Sequence, residues 1–206
     1  MIPRVRRIGW WDTELIFLND SALSLLPEHQ QQLLQLARES IRKGLHRETF
    51  VVKPADYPTP LREIRASFVT LHVEEKLRGC IGTIEARKPL VEDVVSNAHG
   101  AAFRDTRFPA LTPTEFEQLD IHISILSPLE PVKFTSEDDL IAKLRPGIDG
   151  LMIEEGTHRG TFLPAVWESV PEPREFLNCL KVKAGLKADY WSNRIVVCRY
   201  SAESVP

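Results

Sequence analysis

Ser67-Phe68-Val69-Thr70-Leu71-His72-Val73-Glu74-Glu75-Lys76-Leu77-Arg78-Gly79-Cys80-Ile81-Gly82-Thr83-Ile84 is the stretch from which the fold is read. Its first seven residues are rich in β-branched and aromatic side chains, three polar residues follow, and a second apolar run closes it. That order predicts a β-hairpin. Pro89 then opens a helix in which Leu90, Val94, Ala98, Ala101 and Ala102 share one face. Side chains this small let a helix backbone sit close to a sheet, so the hairpin and the helix are expected to pack together.

The pattern extends both ways from the hairpin. Upstream, Pro27 stands at a first-turn position and Leu33, Ala37, Ile41 and Leu45 recur at steps of four, an amphipathic helix ending near Gly44 or His46. Pro54, Pro58 and Pro60 mark a link that discourages helix. Downstream, Thr112, Pro113 and Glu115 make a capping box before a short helix. Leu119, Ile121, Ile123 and Ile125 then alternate with Asp120, His122 and Ser124, the period of a strand with one wet face. Ser136 with Glu137, Asp138 and Asp139 starts another helix.

After a turn through Pro146, Gly147, Asp149 and Gly150, strands are expected over Leu151 to Ile153 and Thr161 to Leu163, joined through Gly156. A helix from Pro173 to Ala184 stops at Gly185, and Ile195 to Cys198 reads as the closing strand. Hairpins outnumber strict strand-helix-strand alternation, which favours an α+β fold with mixed or antiparallel sheets and flanking helices. Two halves emerge, each with a hairpin, helical material and a strand, without a repeat visible residue by residue. Residues 1–26, with Trp10 and Trp11, read as an extension ahead of a domain spanning 27–206.

Composition narrows the function classes. The 206 residues are 43% apolar and 27% charged, as in ordinary globular chains. A net charge of -3, with basic residues scattered among acidic ones, supplies no field for a phosphate backbone, which argues against nucleic acid as a partner. No apolar run approaches the roughly 20 residues that span a bilayer, and no secretory start is evident, so no membrane association and a cytoplasmic location are expected. Cys80, Cys179 and Cys198 form neither a CxxC pair nor an even framework, and are read as thiols. Nucleophile-elbow, Walker, dinucleotide and zinc-protease motifs are missing from the sequence, and neither a metal nor another cofactor is expected.

Chemistry is expected around Arg78-Gly79-Cys80-Ile81-Gly82. Two glycines beside a cysteine leave backbone uncovered for close approach. In an extended strand Arg78 would lie on the same face as Cys80, and a nearby cation favours thiolate. The competing reading is packing, because free cysteine is among the most buried residue types; for Cys179 and Cys198 that reading is preferred. A second cluster, Asn97, His99, Arg104, Asp105 and Arg107, ends the alanine-rich helix. There Arg107 is a candidate anchor for a small anionic ligand, with Asp105 orienting it. His122 is a candidate base, and His72 shares its character, but neither has a partner at a recognisable metal-ligand spacing.

Phe68-Val69-Thr70-Leu71 followed by Leu77-Arg78-Gly79-Cys80-Ile81-Gly82 resembles the signature of the AMMECR family. The resemblance continues through Asn97-Ala98, Ala101-Ala102, Asp105-Thr106-Arg107-Phe108-Pro109, Ser124-Ile125-Leu126-Ser127-Pro128, Gly147-Ile148-Asp149-Gly150-Leu151, Arg159-Gly160-Thr161-Phe162-Leu163-Pro164 and Lys183-Ala184-Gly185-Leu186 with Trp191. Thr106 departs from the proline usual there, which would loosen the turn before Arg107. The family resemblance implies an α+β fold with larger and smaller subdomains and internally repeated units. Through the AmmeMemoRadiSam name it also implies a Memo-like protein and a radical-SAM protein as partners.

The reading that combines these features is a cysteine-dependent modifying enzyme, or its accessory subunit. In it Cys80, Arg78 and His122 are catalytic, and Gly79, Gly82, Asp105 and Arg107 surround a small anionic substrate. The rivals are a non-catalytic binding module for one of those partners and a thiol redox sensor.

Overall fold

A computed structural model describes residues 24–206. The part of the expected extension that carries Trp10 and Trp11 lies outside the described residues. In chain order the helices are α1 (Pro27–Leu45), α2 (Thr59–Arg62), α3 (Leu90–Phe103), α4 (Pro113–Glu117), α5 (Glu137–Lys143) and α6 (Pro173–Lys183). The strands are β1 (Ser67–Val73), β2 (Lys76–Gly82), β3 (Leu119–Leu126), β4 (Glu130–Pro131), β5 (Gly150–Glu155), β6 (His158–Phe162), β7 (Val196–Tyr200) and β8 (Ala202–Val205). Among them no helix is long and apolar enough to cross a membrane.

The helix signals act as their chemistry requires. Proline opens α1, α4 and α6, where its missing N–H costs no helix bond. Thr112 and Glu115 form a reciprocal capping box, and Ser136 accepts the Asp139 amide. Three short elements escape the pattern reading: α2 within the proline-rich link, and the edge strands β4 and β8. Ile195 to Cys198 is therefore not the end of the structure; β8 follows β7 and returns to the first sheet.

Two antiparallel four-stranded sheets result, in the orders β2-β1-β3-β8 and β4-β7-β5-β6. Each is built from a hairpin, a helix and a third strand: β1, β2, α3 and β3 in one, β5, β6, α6 and β7 in the other. The edge strands are exchanged. β3 runs on into β4, which pairs with β7, while β7 runs on into β8, which pairs with β3. Leu33, Ile41, Val69, Leu71, Val94 and Ile123 lie in the larger core, under α1 and α3. A separate core holds Leu151, Ile153, Trp167, Phe176 and Leu180, with Trp167 stacked on Phe176 at 3.7 Å. Ala66, Leu126 and Tyr200 close the seam between the halves.

The halves also match at particular residues. Gly79 pairs with Leu71 on the first hairpin, and Gly160 pairs with Ile153 on the second, each just after an arginine. A Cβ on Gly79 would stand 2.1 Å from the Ala101 carbonyl oxygen, and one on Gly160 would stand 3.0 Å from Ala184. Each hairpin thus meets its helix through an Arg-Gly step, and Cys80 and Thr161 hold corresponding places. This correspondence spans too few residues to be seen without the strand register.

Candidate functional site

β2 is an edge strand, and its backbone at Cys80 is held from outside the sheet. The Cys80 N–H donates to Asp105 Oδ2 at 2.8 Å, and the Cys80 carbonyl accepts from Arg107 Nη2 at 3.4 Å. The segment following α3 therefore supplies at this residue the bonds a neighbouring strand would make. Asp105 is buried and grips Arg107 in forked geometry, Nε to Oδ1 at 2.9 Å and Nη2 to Oδ2 at 2.6 Å. It also accepts the Arg107 amide, so the turn closes with Thr106 in place of proline.

The Arg107 guanidinium holds the Asp105 carboxyl well below the ordinary carboxylate range; burial opposes this, and the amides of Cys80 and Arg107 reinforce it. Arg107 is raised in turn, first by Asp105, against burial, with a smaller influence from Cys80. The Cys80 sulfur is half-buried and accepts a hydrogen bond from Thr70 Oγ1 at 3.3 Å. Thr70 lies directly opposite Cys80 in the β1–β2 register.

Lys183, the last residue of α6, brings a second cation from the other half of the molecule. Much of its surface is open, yet the ammonium leans over the Phe162 ring at 4.9 Å, and burial is the main influence lowering its pKa. Smaller influences come from Cys80, which raises it, and from Arg107, which lowers it. Beside this group a crevice of about 480 Å³ separates the halves, with Gly82, Thr83, Glu85 and Arg87 on one side and Arg159 and Lys183 on the other. Arg159 crosses it to pair with Glu85. Cys80 does not line the crevice itself; it stands two residues before Gly82, which does. A roomier cavity of about 550 Å³ lies between α1 and α3, bordered by Ser40, Arg47, His99 and Arg104, and Cys80 does not line it.

Arg78 does not stand beside Cys80. The pairing passes from Leu71 opposite Gly79 to His72 opposite Leu77, leaving Arg78 as the extra residue of a β-bulge. The bulge turns Arg78 toward the helical side, where Nε donates to Glu115 Oε1 at 2.7 Å and Nη2 to the Pro109 carbonyl at 2.9 Å. That arginine, against burial, depresses the Glu115 carboxyl to about 2. Gly79 makes its close approach to α3, whereas Gly82 faces the Phe68 ring and the crevice.

His122 is not brought to the thiol either. Thr70 pairs with Cys80 on one side and with His122 on the other, so two strand spacings, about 9–10 Å, separate the backbones of Cys80 and His122. His122 instead meets Asp120 at 2.7 Å. The second cluster divides in the same way. Asn97 is buried and donates to Asp93 and Ser67, His99 and Arg104 line the roomier cavity, and Asp105 and Arg107 hold the Cys80 backbone. Cys198 is buried and raised by that burial, while Cys179 is half-buried in α6. Sequence reasoning missed Lys183, although it lies in the motif Lys183-Ala184-Gly185-Leu186, and Thr70, whose signal is the cross-strand register.

The chain is 37% identical over 177 residues to a protein of Methanothermobacter thermautotrophicus, covering 83% of this chain and 90% of that one. To a protein of Thermofilum pendens it is 35% identical over 195 residues, covering 87% and 90%. The crystal structure of the uncharacterized protein PH0010 from Pyrococcus horikoshii superposes with a TM-score of 0.80 at 34% identity, covering 86% of this chain and 90% of that one. The AMMECR1 family pattern matches residues 34–205, and with that match and these relatives the chain belongs to the AMMECR1 family.

Proposed function

We propose that the chain supports a cysteine-dependent modification of a small anionic substrate, as the enzyme or as its accessory subunit, with Cys80 as the thiolate. The observation that carries this reading is the placement of a half-buried cysteine whose backbone is held by Asp105 and Arg107, two residues before a crevice that Lys183 of the other half lines. Positive charge beside a thiol favours its ionised form, and the same charges attract an anion into the adjoining crevice. Asp105 serves as a positioning residue, fixing both the Cys80 backbone and the Arg107 fork. Arg78 supports the reading only indirectly, by anchoring β2 to α4.

The rate of thiol alkylation at neutral pH tests the proposal. Cys80 should react faster than Cys179 and Cys198, and the fast phase should vanish in Cys80→Ser and slow severalfold in Lys183→Met. A Cys80 that reacts only in denaturant, or at a rate indifferent to Lys183, sinks the reading.

A second reading is favoured by Gly79, whose lack of a side chain is explained by contact with Ala101 alone. In it the motif serves packing, and the chain holds a Memo-like or radical-SAM partner protein. Retention of such a partner by Cys80→Ala, with no thiol-dependent product formed by either form, would favour it.

A further inference from the structure

We infer that His72, Asp120 and His122 form a binding site for a divalent first-row transition-metal ion on the wet face of the first sheet. Asp120 lies directly opposite His72 in the β1–β3 pairing, and His122 is two residues further along the same strand. Strand alternation therefore points all three side chains to one face. One ligand atom from each lies within 4.8 Å of the other two. The two imidazole rings meet edge to face at 5.3 Å, and His122 Nε2 is 2.7 Å from Asp120 Oδ2.

Two imidazoles and one carboxylate are a donor set that suits zinc and iron(II), and three protein ligands leave positions open for water or substrate. Metal–nitrogen bonds of about 2.0–2.1 Å place neighbouring donors about 3 Å apart. The arrangement needs only modest side-chain rotation to reach that spacing, and the side chain that must move most freely, Asp120, is 66% exposed. The backbones are already fixed, because β1 and β3 pair without a register slip from Ser67 to Val73. Fifty residues separate the two histidines in sequence, so no local motif announces them.

Titration calorimetry of the full chain with Zn²⁺, paired with the visible spectrum of added Co²⁺, tests the site. The expected result is one ion per chain, with no sulfur-to-cobalt charge-transfer band. Affinity should fall at least about tenfold in His72→Ala, in Asp120→Asn and in His122→Gln. It should be unchanged in Cys80→Ser and in the control His46→Ala. Circular dichroism of the metal-free variants separates loss of a ligand from loss of fold, and His122→Gln is included because it keeps a polar side chain on the strand. The inference is overturned if no saturable 1:1 binding occurs, if binding survives in folded His72→Ala and His122→Gln, or if Cys80→Ser alone abolishes it.

Discussion

Asp105 holds Cys80 by its backbone: the carboxylate accepts the Cys80 amide at 2.8 Å while gripping Arg107 in a fork. A buried carboxylate that satisfies an otherwise unpaired strand edge is costly to remove. Asp105→Ala is expected to destabilise the protein by about 1–3 kcal/mol, since it strands the Cys80 N–H and frees Arg107. The loss should appear in the urea midpoint, together with faster hydrogen exchange at the Cys80 amide. Asp105→Asn, which keeps an acceptor but not the charge, should fall between the two.

Gly79 and Gly160 make corresponding contacts at different distances, and their replacements should be ordered accordingly. An added Cβ at Gly79 meets a backbone oxygen at 2.1 Å, whereas at Gly160 it meets Ala184 at 3.0 Å. Gly79→Ala should therefore cost more than Gly160→Ala, with roughly 1–3 kcal/mol as the scale of overpacking. Thermal unfolding that ranks Gly160→Ala as the more damaging would contradict the Gly79–Ala101 contact.

Acid should act through Glu115 and Asp105, both of which titrate below their ordinary ranges in the folded chain. A carboxylate with a depressed folded pKa stabilises the fold fully above its unfolded value and loses that contribution as the pH falls through the folded one. For Glu115 the window runs from 4.5 down to about 2. The urea midpoint should fall between about pH 5 and about pH 2, and the fall should be smaller in Glu115→Gln. An unchanged pH dependence in that variant would show that the Arg78 pair contributes nothing to it.

The β1–β2 loop consists of Glu74 and Glu75, both with positive φ, 49° and 62°. Two consecutive left-handed residues make the tight turn that suits the twist of a hairpin, and glycine or asparagine is better placed there than glutamate. Glu74→Asn with Glu75→Gly should raise the thermal midpoint by about 2–4 °C without altering alkylation of Cys80.

Asp93 is the buried junction between α3 and the start of β1. It accepts from the Ser67 amide and hydroxyl, from Thr83 Oγ1 and from Asn97 Nδ2. Asp93→Ala leaves several of these donors unsatisfied at once, and a loss of roughly 3 kcal/mol or more is expected in chemical denaturation. A loss below about 1 kcal/mol would mean that water replaces the carboxylate.

The hairpin around Glu74, the helices opened by Pro27 and Pro173 and the capping box at Thr112 were all legible in the chain. Each is specified by a periodicity or a cap acting over a few residues, and such local rules need no knowledge of the partner. Cys80, Asp105 and Arg107 could be singled out for the same reason, by residue type and nearby glycine. Arg78 shows where that reasoning fails. Alternation placed it on the sulfur's face, but a one-residue bulge, which depends on the partner strand, turned it to Glu115.

Lys183 facing Gly82 across the crevice, Thr70 between Cys80 and His122, and His72 opposite Asp120 lay beyond any local rule. These neighbours are set by strand register and by the exchange of β4 and β8 between sheets, which hold together residues tens of positions apart. Local chemistry therefore chose the elements and named the thiol. Packing between distant segments, whose free energy comes from burying shared apolar faces, chose which charged groups hold its backbone and which imidazoles meet on the neighbouring strands.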